Sequence, residues 1–102
     1  MAGFVQIIEF QTSRYNEVKQ VADDYRAKRE ADARGPMPVR STVTRDRKRP
    51  GYYLNIVEFE SYEAAMENSG RPDTNDFAKH MMELCDGEPK YYDLDVVDAW
   101  MT

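Results

Sequence analysis

Along residues 4–11 two sets of side chains alternate, Phe4, Gln6, Ile8 and Phe10 against Val5, Ile7 and Glu9. Successive side chains of a strand point to opposite faces, so this period of two predicts a strand, largely apolar on both sides. The run Gly51-Tyr-Tyr-Leu-Asn-Ile-Val-Glu-Phe-Glu60 repeats the pattern. Tyr53, Val57 and Phe59 share one face with Asn55 among them, and Tyr52, Leu54 and Ile56 share the other. Between the two strands the period changes. Val18, Val21, Ala22 and Tyr25 recur at i, i+3, i+4 and i+7, the stripe of an amphipathic helix. Thr12 and Ser13 are candidate caps for it, and Gly35-Pro36 is its expected stop, giving a helix over residues 15–34.

Residues 39–45 are β-branched and alternating, and Pro50-Gly51 returns the chain, which predicts a hairpin with the organising strand at 51–60. Ser61 caps a second helix, Gly70-Arg-Pro72 interrupts it, and a restart at Asp73 or Thr74 carries Phe77, Met81 and Leu84 on one stripe up to Gly87. Tyr91 to Trp100 reads as the last strand. The order βαββαβ is the split arrangement of an α+β, ferredoxin-like fold: an antiparallel four-stranded sheet with helices on one face, in a single domain over residues 1–102.

That architecture has a consequence for the sheet. The helices cover one face, and the face expected to stay open carries Phe4, Ile8, Phe10, Tyr53, Val57 and Phe59. Leaving six such side chains in water forfeits on the order of 10 kcal/mol at about 25 cal/mol per Å2, as much as the whole stability of a small domain. A homodimer through the sheet face, a dimeric α/β barrel, is the simplest remedy.

Composition narrows the function by exclusion. With a net charge of −5, the field repels phosphate backbones, so no nucleic-acid partner is expected. The basic run Arg45-Asp-Arg-Lys-Arg49 is short and isolated, as expected of a solvated hairpin tip. No apolar run reaches the length of a membrane span, and the start lacks the basic end of a signal peptide, so the expectation is no membrane and a cytoplasmic location. One Cys and one His exclude an internal disulfide and argue against a zinc site. Phosphate loops, dinucleotide fingerprints, nucleophile elbows and HExxH patterns are missing.

Four kinds of residue carry candidate chemistry. His80 is the only histidine, the side-chain type that exchanges protons near neutral pH, and it flanks the stripe of Phe77 and Met81. Asn55 is an amide in mid-strand, where asparagine is disfavoured and, if buried, must find a hydrogen bond. Gln6 poses the same question on the first strand. Aromatic groups at Phe4, Phe10, Tyr53 and Phe59, with Ile8 and Val57, suit a flat organic ligand or simply a core. Asp93 and Asp95 fall on the side of Asn55, Glu9 and Glu58 on the helix-facing side, and Cys85 reads as a small buried hydrophobe.

The segments Asn55-Ile-Val-Glu-Phe-Glu-Ser-Tyr-Glu-Ala-Ala-Met66 and Phe77-Ala-Lys-His80-Met81 resemble the dimeric α/β-barrel superfamily, and within it the antibiotic-biosynthesis-monooxygenase-like domains. The resemblance implies a cavity between sheet and helices, lined by the inward faces of the strands. It implies a cofactor-free monooxygenase or isomerase acting on an aromatic or polyketide-like compound, with His80 and Asn55 catalytic and Gln6, Phe4, Ile8, Phe10, Tyr53, Val57 and Phe59 holding the substrate. The haem-degrading members are a poorer match, because Phe59 and Ile8 replace their tryptophan and asparagine. The alternative reading is a dimer that binds a ligand or partner without catalysis. His80 and Asn55 facing one closed cavity would favour the enzyme; His80 facing solvent would favour the binding protein.

Overall fold

A computed structural model describes residues 2–32 and 34–101. Its elements run β1 (Phe4–Gln11), α1 (Tyr15–Ala31), β2 (Arg40–Arg45), β3 (Tyr52–Phe59), α2 (Tyr62–Ser69), α3 (Pro72–Leu84) and β4 (Lys90–Asp95). The four strands form one antiparallel sheet in the order β2-β3-β1-β4. This is the ferredoxin-like βαββαβ topology, with the second helical segment split in two.

The register decides which residues meet the helices. Phe4 pairs with Phe59, Gln6 with Val57 and Ile8 with Asn55, so these side chains share one face. On that face Phe4, Val57 and Phe59 cluster with Ala65 of α2, with Met66 packed against them. Phe4 is only 2 % exposed and meets the Tyr62 ring edge-on, centroids 5.4 Å apart. The expectation that this face lies open is therefore corrected, and so is the placement of Glu9 and Glu58 on the helix side. Val5, Ile7, Leu54, Ile56, Tyr92 and Leu94 face away from the helices instead.

Two helix ends differ from the sequence pattern for local reasons. Neither Thr12 nor Ser13 is the N-cap of α1, which is Arg14 without a side-chain cap bond. The Thr12 hydroxyl accepts from the Arg14 amide (3.0 Å) and donates to the Leu84 carbonyl (2.7 Å), tying the start of α1 to the end of α3. At its other end α1 stops at Ala31, short of Arg34, because the Arg29 guanidinium gathers the carbonyls of Asp32, Arg34 and Pro36 and turns the chain away. The α2 start follows the sequence: Ser61 Oγ accepts from the Ala64 amide at 3.1 Å. Pro72 opens α3 at the first helical position, where its missing N–H costs nothing, and β4 ends at Asp95, leaving residues 96–101 irregular.

The basic hairpin tip is pinned rather than free. Asp46 Oδ1 accepts from the amides of Lys48 and Arg49, and the Arg49 guanidinium pairs with Asp46 and Glu9 while lying 4.4 Å over the Tyr52 ring. Gly51 closes the turn at φ +84°, a conformation that other residues adopt only at a cost.

Candidate functional site

Between the sheet and the helices α1 and α3 lies a cavity of about 630 Å3. β1 contributes Gln6, Ile8 and Phe10, and β3 contributes Asn55, Val57 and Phe59, three each because alternate residues of a strand face inward. The helices roof it with Tyr15, Val18, Tyr25 and Arg29 from α1 and Phe77 and Met81 from α3. Asn68 closes one end from the last turn of α2, and Ser41 and Val43 line the β2 side.

Aromatic rings define the apolar part. Tyr53 stacks between Phe10 (5.5 Å between centroids) and Tyr15 (4.6 Å), and Tyr25 stacks on Phe77 at 4.3 Å. Such stacked pairs hold the rings in fixed planes.

The amides supply the polar part. Gln6 donates through Nε2 to Asp93 Oδ1 at 3.1 Å, which leaves its carbonyl oxygen as the free end. Asn55 accepts from Ser41 Oγ through Oδ1 at 3.1 Å, which leaves its NH2 to meet a ligand. The Tyr25 hydroxyl shares a 2.8 Å bond with Thr74 Oγ1. Asn68, 8 % exposed, is different: its Oδ1 is buried with no hydrogen-bond partner among the described residues. A buried acceptor left unpaired costs about 1–3 kcal/mol.

Of the residues singled out in the sequence, Gln6, Ile8, Phe10, Asn55, Val57 and Phe59 come together on the cavity wall. Phe4 does not reach it and serves the core, and Tyr53 stands behind Phe10 and Tyr15. His80 is exposed on α3 and does not line the cavity. Cys85, expected to be buried, is half-buried on the cavity wall, and burial raises its thiol pKa above the ordinary value, with Asp86 adding to the effect. Among the described residues no three His, Cys, Asp or Glu side chains converge as a metal site, and no helix is long and apolar enough to cross a membrane.

No protein-family profile and no curated protein matches the sequence. Solved structures do. SnoaB, a cofactor-independent oxygenase from Streptomyces nogalater, superposes with a TM-score of 0.77 at 19 % identity over 97 % of both chains. The fold is that of the antibiotic biosynthesis monooxygenase proteins. A provisionally named antibiotic biosynthesis monooxygenase from Caulobacter crescentus CB15 matches at TM-score 0.74 and 21 % identity, over 95 % of this chain and 92 % of that one. An asparagine-to-alanine variant of SnoaB matches equally well, at TM-score 0.78 and 18 % identity over 97 % of both chains. In this antibiotic biosynthesis monooxygenase fold the cavity sits under the helices, on the side of the sheet opposite Leu54 and Ile56.

Proposed function

We propose that the protein is a cofactor-independent monooxygenase of a small, flat aromatic compound, working as a homodimer. The observation that carries the reading is the cavity of about 630 Å3, walled by Phe10, Tyr15, Phe59 and Phe77 and edged by the amides of Gln6 and Asn55, in the fold shared with a cofactor-independent oxygenase. Its size falls in the range of pockets for small organic ligands.

The chemistry rests on the acidity of the substrate. A doubly benzylic C–H conjugated through the rings with a carbonyl passes its proton to a water molecule at the cavity mouth, and the Asn55 NH2 stabilises the resulting enolate oxygen by hydrogen bonding. The enolate reduces dioxygen, a C–O bond forms, the peroxide anion takes back the proton, and loss of water from the hydroperoxide leaves a new carbonyl. For an anthrone-type methylene the balance is one substrate and one dioxygen to one quinone and one water. Phe10 and Tyr15 fix the ring plane.

The second copy covers the outward sheet face of Val5, Ile7, Leu54, Ile56, Tyr92 and Leu94. Burying such a patch offsets the cost of leaving it in water.

A second reading, a dimer that binds its ligand without turning it over, is favoured by the exposure of His80, which removes the one histidine from the cavity. Anthrone oxidation followed by oxygen uptake and quinone absorbance, in the presence of a chelator, separates the two. The monooxygenase reading expects uptake above the buffer rate and at least a tenfold loss in Asn55→Ala. Binding of anthrone with uptake no faster than in buffer would leave the binding protein.

A further inference from the structure

The cavity has a polar end that the proposed chemistry does not use. Arg29 extends the inward stripe of α1 by one more turn, and it is 97 % buried by its 3 % exposure. Its guanidinium gives hydrogen bonds to the carbonyls of Asp32 (2.8 Å), Arg34 (3.3 Å) and Pro36 (2.9 Å). These bonds use three of the five N–H groups that a guanidinium carries. Carbonyl dipoles satisfy donors but do not neutralise a charge. Among the described residues no carboxylate lies within ion-pair distance of Arg29.

The Asp73 carboxylate feels the Arg29 charge, but the neighbouring carboxylates are engaged by other guanidiniums. Arg71 also donates to the Arg34 carbonyl, and it pairs with Asp73 at 2.9 Å and with Asp32 at 3.5 Å. Asp32 is further held by Arg34 at 2.7 Å. Three guanidiniums thus face two carboxylates, which leaves one positive charge over. Glu30, the next residue of α1, also lines the cavity, but it is exposed and forms no ion pair with Arg29. A buried cation without a counter-ion is costly and is normally paired.

Asn68 stands at the same end. The amide of Arg71 bonds the Asn68 carbonyl at 3.2 Å, so the segment that reaches the Arg34 carbonyl also carries Asn68. Its Oδ1 is the buried acceptor without a partner. One wall region therefore lacks both an anion and a hydrogen-bond donor.

We propose that Arg29 and Asn68 are specificity-determining residues: the ligand carries an anionic group, such as a carboxylate, that Arg29 binds, and a hydroxyl that donates to Asn68 Oδ1. The assignment rests on the reading that the cavity takes a flat aromatic molecule.

Naphthalene derivatives test each half by fluorescence titration of the unmodified protein. 2-Naphthoate is expected to bind at least tenfold more tightly than its methyl ester, as charge-assisted bonds outweigh neutral ones. 2-Naphthol is expected to bind at least threefold more tightly than 2-methoxynaphthalene. Arg29→Met abolishes the first ratio and leaves the second; Arg29→Lys restores part of the first. Asn68→Leu abolishes the second and leaves the first. Equal binding of naphthoate and its ester, or of naphthol and its ether, overturns the corresponding assignment while the cavity reading stands. No binding of any of the four removes the cavity reading and the inference with it. Because the ligand-side comparison uses the unmodified protein, it holds even where Arg29→Met fails to fold.

Discussion

Cys85 lies half-buried against the cavity, and desolvation holds its thiol above the ordinary pKa. The thiolate is the reactive form, so iodoacetamide at pH 8 is expected to modify Cys85 more slowly than a free peptide thiol, and more slowly still with a cavity ligand bound. Mass spectrometry of the labelled protein follows both rates; labelling at the free-thiol rate would show an open wall. Three half-buried aspartates act in the opposite sense. Side-chain bonds from Arg34, Arg49 and Arg71 lower the pKa values of Asp32, Asp46 and Asp73 respectively. A pKa lower in the folded than in the unfolded state gives stability above the unfolded value, near 4, that is lost as pH falls through the folded one. The melting temperature is thus expected to hold from pH 7 to about pH 4 and to fall below it. Asp73→Asn should make that fall shallower; an unchanged slope would remove Asp73 from the linkage.

Among the elements, α2 is the shortest helix and depends most on its cap. Ser61→Ala removes the bond to the Ala64 amide and should cost about 1 kcal/mol, roughly 4–8 °C in melting temperature for a domain of this size. Calorimetry checks it; no shift would mean that packing of Ala65 alone holds the helix. At the start of the central strand β1, Gly3→Ala would set a Cβ 2.6 Å from the Glu60 carbonyl oxygen and force the entry to β1 to move. The period-two and period-3.6 patterns made the strands, the helices and their order legible, because each element buries one consistent set of residues. The choice of face was not legible. β1 and β3 are apolar on both sides, and alternation tells which residues share a face, not which face the helices meet. Asn68 carries no signal in the sequence beyond its spacing, and Arg29 reads as part of the polar outer surface of α1, because Arg and Asn usually lie at the surface; the burial of Arg29 corrects that reading. Their spacing was the available signal: Arg29 stands four residues beyond Tyr25 on the inward stripe, and Asn68 three beyond Ala65.

For the whole molecule, the proposed dimer places its contact on the outward sheet face. Tyr92 and Leu94 there are 42 % and 43 % exposed, beside Leu54 and Ile56 on the same face. Ile56→Arg places a charge in the middle of that face and should shift a dimer to monomer in sedimentation at micromolar concentration, with 2-naphthoate affinity altered less than threefold, since Ile56 points away from the cavity. A dimer unaffected by the charge would mean that the copies meet elsewhere. Beyond β4 the chain carries Val97 and Trp100 almost entirely in solvent, 95 % and 89 % exposed. Trp100 is the only tryptophan of the protein, so indole emission reports the tail and not the core. A thermal melt followed by that emission would stay nearly flat through unfolding, whereas the stacked rings of Phe10, Tyr53 and Tyr15 would lose their near-ultraviolet dichroism at the true transition.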